Sequence, residues 1–157
     1  MADPSLADLD RFEAALRAPL DRQGGANPYA LHAELQAVMQ SLVGIYRTGQ
    51  DLETAIGRLG ELREKSESIG VGGSRAYNPG WDLTFELKNM IICCEAVARS
   101  ALQRTESRGA HSRIDYPEAD PEWGRRNSVV RRDGARMSVT TAQLPPLPDE
   151  LRALVSG

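Results

Sequence analysis

Between residues 104 and 123 the chain reads RTESRGAHSRIDYPEADPEW. Three arginines (Arg104, Arg108, Arg113), five carboxylates (Glu106, Asp115, Glu118, Asp120, Glu122), His111 and Trp123 crowd into this stretch. One chemistry these types allow is nucleophilic: His111 has Ser107, Ser112 and Asp115 close in sequence, the residue types of a triad. No nucleophile elbow or oxyanion loop surrounds them, so no catalytic residue is assigned. His111 is expected instead to bond the last carbonyls of the helix before it. The other chemistry is polar docking, for which planar, always-charged arginine forks are suited.

Other candidates are thin. The GVGGS stretch at 70–74 has the glycines of a phosphate loop but lacks the Lys-Ser/Thr ending and a preceding strand. It is expected to be a plain connection. Cys93 and Cys94 are adjacent, so on a helix they point about 100° apart and a disulfide between them would be strained. They are expected to be reduced thiols with at least one in the core, and no metal site is expected. Trp81 and Trp123 are expected to be packing anchors.

These residues need elements to hold them. The 157 residues suit one domain of ordinary size. Aromatics are 5% while Ala, Leu and Arg abound, which favours helix over sheet. A net charge of −3 gives no basic surplus for a nucleic-acid backbone, so no nucleic-acid partner is expected. The longest uncharged apolar run, Met90 to Cys94, is too short to span a bilayer, so no direct membrane insertion is expected. The acidic start MADPSLADLD resembles neither a secretory signal nor a transit peptide, and the expected location is the cytoplasm.

Asp3-Pro4, Asn27-Pro28 and Asn78-Pro79 each put a capping side chain before a proline, the chemistry of a helix start. The pattern predicts a short helix from about Pro4 to Leu16 or Ala18, ending near Pro19, and a second from Pro28 to about Arg47, with Gly49 as its C-cap. A third runs from about Asp51 to Ser68, in which Gly57 and Gly60 suggest a close helix crossing. A fourth, the longest, runs from Pro79 to about Ser107, with Gly109 ending it. Its buried stripe is read as Trp81, Leu87, Met90, Ile91, Cys94, Val97, Ala98, Ala101 and Leu102. Asp133-Gly134 between two loosely alternating runs signals a β-hairpin, and LPPLPDELRALVSG reads as a proline-rich tail with a final helical turn. The expected fold is mainly α: an antiparallel three-helix bundle plus a short N-terminal helix, then an irregular segment and a small β-hairpin. The divisions are 1–26 (N-terminal helix and linker), 27–109 (bundle) and 110–157 (charged exit segment, hairpin and tail).

The segment RTESRGAHSRIDYP, Arg104 to Pro117, resembles the signature that closes the C-terminal domain of the succinate dehydrogenase and fumarate reductase flavoprotein subunits. VMQSLVGIYR and YNPGWDLTFELKNMIICCEAVARSAL are similar to the family's helices before it, and PEW with the later hairpin to the family's segment after it. The resemblance covers about residues 27 to 147. It implies a supporting domain of an FAD-dependent oxidoreductase that oxidises succinate or reduces fumarate. The family's FAD and dicarboxylate sites lie in flavin and capping domains that have no counterpart here, so the chain is expected to hold no cofactor and to be inactive alone. The implied partners are those two domains of the same flavoprotein and an iron–sulfur subunit at the cytoplasmic face of a membrane. The implied role of Glu106, Ser107, Arg108, His111, Arg113 and Asp115 is interdomain docking. On that basis these arginines and carboxylates are expected to be largely exposed and partly unpaired in the isolated chain, so that Arg108→Ala or Arg113→Ala barely alters its stability. Two alternatives remain: the matching domain of an L-aspartate oxidase-like flavoprotein, whose members usually end before such a hairpin, and a free-standing helical interaction module.

Overall fold

The computed structural model describes residues 5–134, 136–148 and 150–151. Four helices, α1 (Leu6–Asp21), α2 (Pro28–Leu42), α3 (Gly49–Ser66) and α4 (Pro79–Gln103), precede a hairpin of β3 (Arg126–Asp133) and β4 (Arg136–Gln143). A two-residue parallel pair, β1 (Tyr46–Arg47) with β2 (Ser112–Arg113), ties the chain before α3 to the charged segment. The fold is mainly α, an antiparallel bundle of α2, α3 and α4 with α1 at its side.

The bundle forms because three apolar stripes meet. Leu31, Leu35 and Val38 of α2 pack with Leu52, Ala55, Leu59 and Leu62 of α3 and with Leu87, Ile91, Ala98 and Ala101 of α4. Asn27 and Asn78 cap α2 and α4 from the residue before each proline, their side chains accepting two backbone N–H groups apiece. Glu95 interrupts the stripe of α4, where it is 5% exposed. Its carboxylate is held by Arg63 of α3 and by Arg99 one turn on, which satisfies a charge that burial alone would penalise.

Several expected boundaries move. The helix start at Asp3-Pro4 lies outside the described residues; α1 is capped by Ser5, whose hydroxyl accepts from Asp8 N. Pro19 sits inside α1 rather than ending it, and its carbonyl accepts from Val71 N at 2.9 Å. The second helix stops at Leu42, not Arg47. Val43 leaves helical geometry and is buried, and Thr48 starts a new helix through a reciprocal capping box with Asp51. Gly49 is therefore the first residue of α3, not a C-cap.

Gly57 and Gly60 mark no close crossing: a Cβ at either would meet nothing within 4 Å. The close approach of backbones falls elsewhere, at Gly25 and Gly70, where Ala26 bridges Ile69. A Cβ on Gly70 would lie 1.9 Å from Gly24 O. Val97, assigned to the buried stripe, is 50% exposed, because the helix turns that side toward the hairpin rather than the bundle. Helix α4 ends at Gln103, four residues short of its expected end. The sequence-expected hairpin is present, with Gly134 at φ 59° in its turn. The final helical turn expected in the tail lies largely outside the described residues.

Candidate functional site

The charged segment is organised by two carboxylates. The first is Asp115. Arg113 grips it with both prongs of its guanidinium, Nε to Oδ1 and Nη2 to Oδ2 at 2.7 Å each. The remaining prong, Nη1, donates to the carbonyls of Ala101, Leu102 and Arg104 at 3.1, 3.1 and 3.2 Å. These include the acceptors that a helix C-terminus leaves without partners. Asp115 Oδ2 also accepts from Gly49 N at 2.9 Å, one of the unpaired donors at the start of α3. One ion pair thus caps the negative end of α4 with a cation and the positive end of α3 with an anion, as both helix dipoles favour. Arg113 is 2% exposed and also lies 5.0 Å over the ring of Tyr116.

The second organiser is Glu106, which is 0% exposed. Arg108 donates to it through Nε and Nη2 at 3.1 and 3.2 Å, Asp120 N donates at 2.8 Å, and Arg104 Nη1 donates to Oε1. Burial pushes the Glu106 carboxyl up, yet the bonds from Arg108, Asp120 and Arg104 together outweigh it and hold it below its ordinary value. Asp115 is held well below the usual carboxylate range, chiefly by the Arg113 bond, which outweighs the cost of burial and is helped by Gly49 N.

Ser107 closes the loop between them. Its hydroxyl accepts from Arg113 N at 2.9 Å and faces the carbonyls of Tyr116 and Arg113 at 2.8 and 3.2 Å. Arg108 and His111 exchange both backbone hydrogen bonds around a turn in which Gly109 adopts φ 58°. His111 Nε2 lies 3.2 Å from Arg104 O, so as a neutral ring it must carry its proton on that nitrogen. This is the bond to the end of the preceding helix expected from the sequence. Burial lowers the His111 pKa; the bond to the Arg104 carbonyl opposes this, and the nearby charges of Arg47, Arg104 and Arg113 add to the lowering. Trp123 anchors the exit of the segment, with Arg104 5.3 Å over its ring and Nε1 donating to Thr105.

All six residues singled out from the sequence therefore belong to one network. The expectation that they are largely exposed and partly unpaired is wrong for its two central members, Glu106 and Arg113. A helix C-terminus and a helix N-terminus meet there, and their orphan groups draw the charges inward. No group of three or more His, Cys, Asp or Glu able to hold a metal occurs among the described residues.

Sequence reasoning missed Arg47 and the outer face. Arg47 donates to the carbonyls of Ile45 and Ala110 and has no carboxylate partner among the described residues. It shares a shallow groove of about 400 Å³ with Ser100, Arg104, His111 and Ser128. Around the clamp, Ile45, Tyr46, Ile114 and Tyr116 are 58%, 74%, 62% and 44% exposed. The β1–β2 pairing brings these together, through Ser112 N to Ile45 O and Ile114 N to Arg47 O. The alternation of a two-residue strand is too short to read from sequence.

Fold and network together define a helical domain whose exit segment is locked onto two helix ends. The model of the fumarate reductase flavoprotein C-terminal family matches residues 32–151, and the chain belongs to this family of C-terminal domains of succinate dehydrogenase/fumarate reductase flavoproteins. It is 34% identical over 131 residues to the fumarate reductase flavoprotein subunit of Mycobacterium tuberculosis, covering 79% of this chain and 22% of the relative. It is 35% identical over 128 residues to the succinate dehydrogenase flavoprotein subunit of Coxiella burnetii, covering 81% and 22%. Among solved structures it superposes on a chain of the Mycobacterium smegmatis Sdh1 complex with a TM-score of 0.87 and 39% identity, covering 96% of this chain and 27% of that one. The chain thus spans about a fifth of the length of these curated relatives. Among the described residues no helix is long and apolar enough to cross a membrane.

Proposed function

We propose that this chain is the part of a flavoprotein that docks on, and steadies, an FAD domain interconverting succinate and fumarate. The observation that carries the reading is the exposed apolar rim, Ile45, Tyr46, Ile114 and Tyr116, arrayed around an ionic clamp that is already satisfied. Large apolar side chains left exposed in one region are a usual mark of a binding surface. The six charged and polar residues divide the work. Glu106, Ser107, Arg113 and Asp115 hold the shape of the segment, while Arg108 and His111, at its outer turn, meet the flavin or capping domain. Arg47 offers its guanidinium to a carboxylate of the docked domain.

On this reading FAD binds to the flavin domain, and the electrons pass on to an iron–sulfur subunit at the cytoplasmic face of the membrane. No residue of this chain touches flavin or dicarboxylate. What the chain contributes to the chemistry is position: a rigid seat that keeps the flavin domain closed. The M. smegmatis relative supports the reading because its structure is that of an assembled complex.

The test is reconstitution in trans. The flavin and capping region of the M. smegmatis flavoprotein, produced without its own C-terminal region, is mixed with this chain and resolved by size-exclusion chromatography. A complex that retains flavin, and that Ile114→Ser weakens, is expected. Two separate peaks under all conditions would favour a free-standing helical module.

A further inference from the structure

A second surface lies away from the clamp, where the hairpin hangs over the middle of α4. Val130 and Met137 of the hairpin and Ile92 of α4 form the apolar floor of a groove of about 500 Å³. Ile92 is 50% and Val130 39% exposed, so this floor is open to solvent. The walls are basic: Arg131, Arg132 and Arg136 stand on the hairpin, and Arg63 stands opposite. Arg63 is occupied by Glu95. The three hairpin arginines have no carboxylate partner among the described residues; Arg132 has only the carbonyl of Gly134, at 3.0 Å. From residue 125 to 136 the chain carries five arginines and a single carboxylate, although the whole chain is net acidic.

We propose that this groove receives an acidic segment of a partner polypeptide, with carboxylates on the three hairpin arginines and an apolar side chain seated on Ile92, Val130 and Met137. Three features select this occupant. The guanidiniums without carboxylate partners call for planar anions, which carboxylates present in bidentate geometry. The apolar floor calls for a side chain and not for a phosphate, which would leave Ile92 and Val130 wet. The acidic balance of the chain outside the hairpin disfavours a long polyanion such as nucleic acid, whose backbone would meet repulsion beyond the groove. The inference does not rest on the docking role of the clamp, since the groove and the apolar rim involve different side chains.

The probe is a synthetic peptide with two glutamates on each side of a leucine–phenylalanine pair, titrated into the full chain while the methyl signals of Ile92, Val130 and Met137 are followed by NMR. Saturable shifts at all three methyls are expected. Replacing the glutamates by glutamine, or using Arg131→Glu/Arg132→Glu, should weaken binding roughly tenfold or more, and salt should weaken it further. Ile92→Ser should weaken it with the charges intact, and circular dichroism of each variant shows that the fold persists. The proposal is overturned if no shifts occur or if the glutamine peptide binds equally well. It is overturned equally if Ile92→Ser has no effect, or if inorganic phosphate or a DNA oligonucleotide produces the same shifts at lower concentration. Concentration-dependent shifts at these methyls without any peptide would overturn it too, showing that a second copy of the chain fills the groove.

Discussion

Arg113 and Asp115 form a two-pronged ion pair, both bonds 2.7 Å, that joins the last carbonyls of α4 to the first N–H of α3. The pair lies two residues apart in sequence yet spans two helix ends, because β2 threads Arg113 between them. Removing the guanidinium would take that donor from the carbonyls of Ala101 and Leu102 and leave the Asp115 carboxylate with Gly49 N, while Arg104 O keeps its bond to His111 Nε2.

Arg113→Ala should therefore destabilise the isolated chain by about 1–3 kcal/mol, because the guanidinium is buried against the helix carbonyls while the Asp115 carboxylate is about a third exposed. Arg113→Lys should recover little, since an ammonium cannot reach both carboxylate oxygens and the helix carbonyls from one position. Arg108→Ala should cost much less, because Arg104 and Asp120 N still hold Glu106. Urea titrations of the three variants decide this; equal, small losses would mean that the clamp contributes nothing to the fold.

Gly49 should resist substitution even though it begins a helix. A Cβ there would sit 3.1 Å from both Arg113 Nη2 and Asp115 Oδ2. Gly49→Ala is expected to destabilise by about 1 kcal/mol or more by prying the pair apart, overriding the higher helix propensity of alanine. Gly57→Ala and Gly60→Ala, whose Cβ positions are open, should each stabilise by roughly 0.5–1 kcal/mol. A shift of the unfolding midpoint in the same direction for all three would refute the assignment of Gly49.

Stability should fall in two stages on acidification. His111 has its pKa lowered by burial and then by neighbouring arginines, so folding holds it neutral while the unfolded chain takes up a proton. That costs stability as pH falls below about 6.5. Glu106 and Asp115 are depressed in the folded state, so their contribution is present in full above the unfolded values of about 4.3 and 3.9 and is lost as pH drops below them. His111→Gln should flatten only the upper stage, and Asp115→Asn only the lower. Denaturation midpoints measured from pH 8 to 3 separate the two; a profile that both variants leave unchanged would count against this assignment.

Helix α1 should detach without the bundle melting. Trp81 Nε1 donates to Leu16 O at 2.7 Å, and the first half of α1 exposes Leu6, Leu9 and Phe12. Trp81→Phe removes that bond and should raise amide exchange in α1 several-fold while α3 keeps its protection. Uniformly faster exchange through α3 and α4 would show that Trp81 serves the core as a whole.

The helices were legible because their stripes repeat over many turns and because Asn-Pro announces a start without help from tertiary structure. The ends were not. Gly49 and Gly109 look like helix stops, but Thr48 with Asp51 captures the first as a beginning, and Arg113 ends α4 before the second is reached. A terminator twelve residues away from Ala101 leaves no periodic trace. The charges from Glu106 to Asp115 were visible as a group, yet their burial was not, since it depends on two helix termini arriving at one place. Glu95 was hidden for the same reason: a carboxylate on an apolar stripe is permitted because Arg63, on another helix, faces it along with Arg99 one turn on.

The central claim is that the clamp shapes the segment from within while its rim makes the contact. It is tested most directly by comparing Arg113→Ala with Ile114→Ser in two settings: thermal unfolding of the isolated chain, and flavin retained by the M. smegmatis flavoprotein with this chain in place of its own C-terminal region. Arg113→Ala should lower both the melting temperature and the flavin content, whereas Ile114→Ser should leave the melt unchanged and lower flavin content alone. If Ile114→Ser lowers neither, the rim is not a docking surface and the claim fails.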